Sequence, residues 1–285
     1  MTLLIYSLAV ILLAIVSGFL MLWKIPQASR SDSLPPNPGE NVPGDRKSLS
    51  IIIPARNEEH RLPPLLDSLA QQDIQDFEWI VVDDQSEDRT GEIAAAAGAR
   101  VIRTEDRDER WIGKSYACWR GACAATGTRL LFLDADTRME SSDSLRRILA
   151  TYEAAGAGGI LSFQPYHRVV HLYESLSTLF NIIVMAGINV FTPWSKRLKG
   201  AGAFGPCILC DRDEYFRTGG HEAIGGAVMD DLALGDLYRK NGLQVLCYSG
   251  RGLISFRMYP EGFGQLFEGW TRSEEHTSEL QSLSH

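Results

Sequence analysis

Between residues 48 and 165, short runs of branched apolar residues alternate with segments of helical character. SLSIIIPA (48–55) precedes 58–72, EWIVVDD (78–84) precedes 89–97, ARVIR (99–103) precedes 113–125, TRLLFLDAD (128–136) precedes 142–154, and GGILSFQP (158–165) closes the series. The alternation restricts the chain to an α/β architecture, because a strand that feeds a helix returns as a parallel neighbour. Strands of a parallel sheet are covered on both faces, and SIIIP, WIVV and LLFL are the continuous apolar runs such burial requires. The expected core is a mostly parallel sheet with helices on both faces. Ligands of such sheets bind beyond the carboxyl ends of the strands, so the polar residues that follow each run are the first candidates for chemistry.

The first run ends in PARNEE (54–59) and carries no G-x-G-x-x-G, which argues against a dinucleotide-dependent oxidoreductase. The second ends in DDQSEDRT, with Asp83 and Asp84 at its tip. Ser86 or Asp88 suffices to cap the helix that follows, so a carboxylate at the tip is available to accept hydrogen bonds from a base or from ribose hydroxyls. The fourth ends in Asp134 and Asp136. In an extended chain residues i and i+2 point to one side, and two converging carboxylates repel unless a cation joins them. A hard divalent ion, Mg2+ or Mn2+, fits that role and keeps positions open for phosphates. The plain alternative is a solvated D-A-D-T turn with Asx chemistry.

Beyond residue 165 the pattern loosens. His171 to Trp194 is apolar but interrupted by Asn181, Gly187 and Asn189, which suits a helix packed on the domain or lying at a membrane surface better than a second span. GAGAFGPCILC follows, then a helix in MDDLALGDLYRKNG with a stop signal at Asn241-Gly242, and strands near 243–248 and 251–256. Asp230 and Asp231 open that helix, either as acids favoured by its dipole or as reactive carboxylates. Phe263, Phe267 and Trp270 recur at helical spacing and form one aromatic face, for the core or for a membrane interface.

The ends of the chain differ from its middle. Residues 2–23 are almost unbroken apolar and would span roughly 33 Å as a helix, enough for a bilayer core. The stretch lacks the basic start and the cleavage site of a signal peptide, so residues 1–24 are expected to form a transmembrane anchor. Lys24, Arg30, Arg46 and Lys47 follow the span and no Lys or Arg precedes it, which directs the rest of the chain to the cytoplasmic side of the cell membrane. Residues 25–47 are expected to be a Pro-rich linker, and 48–271 the catalytic-size domain. The tail 272–285, RSEEHTSELQSLSH, resembles translated sequencing-adapter sequence and is set aside as an artefact, with the domain expected to be C-terminally truncated. Cysteines at 118, 123, 207, 210 and 247 form no disulfide framework, and the single C-x-x-C at 207–210 lacks the second pair that a zinc site needs. A formal net charge of -8 without a basic stripe argues against nucleic acid as partner.

Taken in order, IIIPARNEE, VVDDQSEDRT, GKSYAC, FLDADT and DDLALG resemble the family-2 glycosyltransferases, with a nucleotide-sugar-binding domain of the GT-A type over roughly 48–271. The resemblance implies that Pro54, Ala55, Arg56, Glu58, Asp83 or Asp84, and Lys114 hold the nucleotide of a UDP-sugar. It places Asp134 near the ribose and diphosphate, makes Asp136 the main ligand of Mg2+ or Mn2+, and matches Asp231 to the catalytic base, with Asp230 beside it. GKSYACWRG, GILSFQPYH, FNIIVMAGINVF, AFGP, GGH and FRMYPEGF are similar to the carotenoid-acid (diaponeurosporenoate) glycosyltransferase branch. That likeness implies a membrane protein that passes a hexose to a lipid-soluble acid, with further membrane helices after GWT. The branch carries one acid where this chain has both Asp230 and Asp231, so a hydroxyl-bearing lipid or polysaccharide remains the alternative acceptor. His221 is a further candidate for acceptor or diphosphate contact, and His167 and His171 are weaker ones. Two other classes stand beside this one. A nucleotidyltransferase would carry a Gly-rich basic loop where PARNEE stands, and a shortened chain could act as a non-catalytic nucleotide-sugar-binding membrane module.

Overall fold

The apolar runs become neighbouring strands because each is covered on both sides by helices drawn from the segments between them. The computed structural model describes residues 2–28, 48–104, 110–195, 197, 200, 202–258, 262–264, 266 and 267. In chain order the elements are α1 (Thr2–Met21), β1 (Leu49–Ala55), α2 (Pro63–Ala70), β2 (Phe77–Asp83), α3 (Thr90–Ala96), β3 (Arg100–Arg103), α4 (Ser115–Ala124) and β4 (Arg129–Leu133). There follow β5 (Thr137–Met139), α5 (Ser144–Ala154), β6 (Ile160–Gln164), β7 (Tyr166–His167), α6 (Ser175–Gly187) and β8 (Cys207–Asp211). The last are α7 (Arg212–Thr218), α8 (Asp230–Lys240), β9 (Val245–Ser249) and β10 (Ile254–Phe256).

The main sheet has the order β3-β2-β1-β4-β8-β6-β9, and a small sheet has the order β5-β10-β7. All pairings in the main sheet are parallel except those of β8, which runs against both β4 and β6. The helices lie on both faces, as expected. Leu65 and Leu69 of α2, Ala94 of α3 and Leu145, Ile148 and Tyr152 of α5 pack with Ile51, Ile53 and Leu131. Ala117 and Ala122 of α4, Tyr215 of α7 and Leu234 and Tyr238 of α8 pack on the other face with Ile52, Leu130 and Ile208. Gly121 lets α4 settle on the sheet, since a Cβ there would come within 2.4 Å of the Ile52 side chain.

Strand β8 is the main element that the sequence did not announce. Its two cysteines are spaced i, i+3 in a strand and therefore face opposite ways, Cys207 into one core layer and Cys210 into the other. Both are free thiols, and burial pushes Cys210 up to about 12, as expected of inert packing residues. Cys118 and Cys247 are buried likewise, while Cys123 is exposed.

At the amino end the expected apolar helix forms as α1, with Tyr6 70% and Leu13 67% exposed. Counted over the described residues, no helix is long and apolar enough to cross a membrane. The start of the expected linker is not free of the domain. Gln27 bridges Ser249 of β9, the Ser249 amide donates to Pro26 O at 2.9 Å, and the Lys24 amide donates to Phe191 O at 3.2 Å. Linker residues 29–47 and the tail 272–285 lie outside the described residues. At the carboxyl end Leu266 is buried but Phe263 and Phe267 are exposed, so these two rings are not core; Trp270 lies outside the described residues.

Candidate functional site

The carboxyl ends of β1, β2 and β4 surround a cavity of about 370 Å³. Of the residues expected there, Pro54, Ala55, Arg56, Glu58, Asp84, Lys114, Asp134 and Asp136 line it, joined by Gly113, Ala117 and Ala135. The loops after β1 and β2 are tied to each other. The Asn57 amide donates to Ser86 Oγ at 3.1 Å, the Glu87 amide to Asn57 Oδ1 at 2.9 Å, and the Glu58 amide to Thr90 Oγ1 at 2.8 Å. Asn57 adopts φ +56°, a left-handed conformation that Asn tolerates better than most residues. The ties fix Arg56 and Glu58 at the rim.

Adjacent strand residues face opposite ways, and only one of the two acids at the tip of β2 reaches the cavity. Asp83 is buried away from it, accepts from the Ser86 amide at 3.0 Å and lies 3.4 Å from Arg103 Nε. Its place is structural. Asp84 lines the cavity, accepts from Thr104 Oγ1 at 2.7 Å, and donates its amide to Ala55 O at 2.8 Å.

The D-A-D segment departs from the extended geometry expected of it. β4 ends at Leu133, and Asp134 to Thr137 form a turn in which the Asp134 carbonyl accepts from the Thr137 amide at 3.1 Å and from its hydroxyl at 2.7 Å. The turn still brings both carboxylates to the same cavity. Asp134 Oδ1 accepts from Lys114 Nζ at 2.7 Å, and the same ammonium lies 3.7 Å from Asp231 Oδ1. Asp230 and Asp231 therefore stand behind Lys114 and do not line the cavity. Asp230 accepts from Ser115 Oγ at 3.4 Å. Asp231 packs against Gly205, where a Cβ would lie 1.7 Å from its Oδ2, so the AFGP segment must carry glycine at that point.

Negative charge outweighs positive in this region. Burial raises Asp136 to about 6, reinforced by the Asp134 charge. Burial also raises Glu58 to about 7 although Arg61 Nε pairs with it at 2.8 Å, and Asp136 and Asp134 push the same way. Asp231 rises to about 7 through burial, with Lys114 opposing and Asp230 adding to it, and Asp230 is raised for the same first reason. Burial acts against the charge on Lys114, but Asp134, Asp231 and Asp230 outweigh it and hold the ammonium charged. Among the described residues no three His, Cys, Asp or Glu side chains form a closed metal cluster. Mg2+ and Mn2+ do not need one, since one or two carboxylates plus substrate phosphates are enough. Two turn carboxylates, one of them held up near 6, fit such an ion, which would relieve their mutual repulsion.

His221 does not face the cavity. It is buried, its Nδ1 lies 2.8 Å from the Tyr215 hydroxyl, and burial together with the Lys114 charge lowers it to about 3. It is a neutral packing residue. His167 Nδ1 lies 3.1 Å from Thr178 Oγ1 and from Asn181 Nδ2, and His171 precedes the short turn 172–174. Sequence reasoning missed Arg61, visible as an i+3 partner of Glu58, and Gly205, whose role depends on a contact with Asp231 that no local pattern reveals.

The sequence model of Glycosyl transferase family 2 matches residues 50–213, more than half of the chain. The chain belongs to that family. This family-2 chain is 42% identical over 228 residues to the 4,4'-diaponeurosporenoate glycosyltransferase of Staphylococcus haemolyticus, covering 79% of this chain and 60% of the relative. It is 40% identical over 229 residues to the Staphylococcus aureus protein of the same name, covering 80% and 61%. It thus spans about three-fifths of the length of these curated relatives. Among solved structures it resembles a mannosyltransferase from Pyrobaculum calidifontis in complex with GDP-Man and Mn2+, with a TM-score of 0.56 and 20% identity over 85% of this chain and 65% of that one. It also resembles glucosyl-3-phosphoglycerate synthase from Mycobacterium tuberculosis in complex with Mn2+, UDP and glucosyl-3-phosphoglycerate, with a TM-score of 0.54 and 20% identity over 83% and 81%. At that identity the likeness establishes the GT-A fold alone.

Proposed function

We propose that the protein is an inverting glycosyltransferase that moves a hexose from a UDP-sugar to a lipid-soluble acceptor, a carotenoid carboxylic acid by the names of its curated relatives. The observation that carries this reading is the single cavity where Glu58, Asp84, Lys114, Asp134 and Asp136 meet beyond the strand ends of a family-2 chain. Asp84 accepts hydrogen bonds from the nucleoside, and Lys114 supplies fixed positive charge toward the diphosphate. Asp136, with Asp134 beside it, would hold Mg2+ or Mn2+. Such an ion, when bound, would supply Lewis-acid stabilisation of the charge that develops on the leaving UDP.

Whether Asp231 acts as a base depends on the acceptor. A hydroxyl must lose a proton as it attacks, and a carboxylate held near 7 is matched to that task at neutral pH. A carboxylic acid with a pKa of about 4 to 5 arrives ionised and needs no base. Asp230 and Asp231 together favour the second reading, a hydroxyl-bearing lipid or polysaccharide. We propose further that α1 anchors the protein in the cell membrane with the domain cytoplasmic, supported by a 20-residue helix without a charge and by Lys24 shortly after its end. The test is UDP release by the detergent-solubilised protein with Mn2+ and a panel of UDP-sugars. Release that Asp136→Ala abolishes supports the function, and no release from any donor, with nucleotide binding unaltered in the variant, refutes it.

A further inference from the structure

A second cavity, of about 330 Å³, adjoins the first, with Asp136 lining both. It is formed by the start of α2, by β5 and β10 of the small sheet, and by the chain that leaves β7. Four arginines line it: Arg61, Arg138, Arg168 and Arg257. Two are already paired, Arg61 with Glu58 and Arg257 with Glu174 at 2.7 Å. Among the described residues neither Arg138 nor Arg168 has an acidic partner. In a chain with a formal net charge of -8, two unneutralised guanidinium groups in one cavity call for an anion from outside.

The backbone beneath these two arginines is fixed. Arg138 pairs with Ser255 across β5 and β10, and the Arg168 amide donates to Phe256 O at 3.0 Å. The remaining wall is mixed, with Pro64, Val170 and Phe256 apolar and His60, Asp136, Thr137 and Ser255 polar. Past Val170 the chain that leaves the cavity exposes Leu172 (89% exposed) and Leu176, so exposed apolar side chains follow the cationic pocket in sequence. That order matches a ligand with an anionic head on an apolar body.

The geometry points to this cavity as the seat of the acceptor's carboxylate, with Arg138 and Arg168 as the residues that select an apolar acid over the corresponding alcohol. The assignment rests on the glycosyl-transfer reading for its consequence. One carboxylate oxygen, already ionised, forms the bond to sugar C1 as the C1–O bond to UDP breaks, and the electron pair leaves with UDP. No proton moves, and the second oxygen stays on the arginines. Asp136 lies between the two cavities, which places the departing diphosphate and the incoming carboxylate on either side of it.

The test uses the detergent-solubilised full chain with all-trans-retinoic acid and all-trans-retinol as probes, followed by fluorescence, and UDP with Mn2+ measured in the same samples. The wild type is expected to bind the acid at least tenfold more tightly than the alcohol. The double variant Arg138→Gln, Arg168→Gln, whose exposed positions spare the core, should lose that preference with UDP affinity unchanged, and Arg138→Lys, Arg168→Lys should restore part of it. Equal affinity for acid and alcohol in the wild type, or a preference kept in the glutamine variant, overturns the assignment. Displacement of the acid by low-millimolar inorganic phosphate overturns it too, because it marks a general anion site. An acid preference without UDP binding supports the cavity and counts against the donor reading alone.

Discussion

Asp136→Asn should make the metal-free protein more stable while removing its function. In the folded chain the Asp136 carboxyl titrates near 6 in place of its ordinary 3.8, because burial and the neighbouring Asp134 charge disfavour the anion. A raised folded value means stability that is fully present below about 4 and lost as pH rises through about 6. The gap of about two pH units, at about 1.36 kcal/mol each, makes ionised Asp136 cost about 3 kcal/mol above pH 7. Asn keeps the shape and removes the charge. Part of that cost should return, on the order of 1 to 2 kcal/mol, which for a domain of this size corresponds to about 2 to 8 °C in Tm. The assay is thermal unfolding in EDTA at pH 5 and pH 8, repeated with Mn2+ and UDP. The variant is expected to gain most at pH 8, to gain about half as much at pH 5, and to lose the stabilisation that Mn2+ and UDP give the wild type. A variant no more stable than wild type at pH 8 in EDTA, or one still stabilised by Mn2+, would refute the reasoning that this carboxylate is held at a cost for a cation.

Three other substitutions probe the surrounding structure. Lys114→Met removes the cation between Asp134 and Asp231; loss of charge-assisted bonding worth about 1.5 to 3 kcal/mol should weaken UDP binding by about 10- to 100-fold, measured by titration calorimetry. Asp83→Asn should lower stability by about 1 to 2 kcal/mol in urea unfolding and leave the UDP affinity within about twofold, since Asp83 ties Ser86 and Arg103 and faces away from the cavity. Gly205→Ala drives a methyl into the Asp231 carboxyl; turnover of an ionised carboxylic acid should fall less than about tenfold, whereas a hydroxyl acceptor should lose the 10² to 10⁴-fold owed to a general base.

How far the sequence was legible depended on the range of the forces involved. β1, β2, β4 and β6 were plain because burial on both faces writes a continuous apolar run into each strand. β8 was not, since five residues after a glycine-rich segment carry too short a signal, and its direction is set by partners far away in sequence. The cavity residues after β1 and β4 were readable from their position at strand ends. The choice between Asp83 and Asp84 could have been sharpened by the two-residue period of a strand, although not which of the two faced the ligand. The D-A-D segment was read as extended or as a turn, and it is a turn that also presents both acids to one cavity. Arg138 and Arg168 escaped notice because 30 residues separate them in the chain and only the small sheet brings them together.

The docking of residues 24–28 has a practical side. β9 is the outer strand of the main sheet, and an uncovered outer strand offers its backbone to any passing chain. Pro26 and Gln27 occupy part of that edge, and Leu22 and Ile25 pack on the cluster of Ile188, Phe191, Phe204 and Cys247. A chain cut at residue 48 would therefore shed its own edge guard and bare an oily patch, inviting strand-to-strand aggregation. A cut at Lys24 would discard the apolar helix and keep the guard, and is the better starting point for crystallisation.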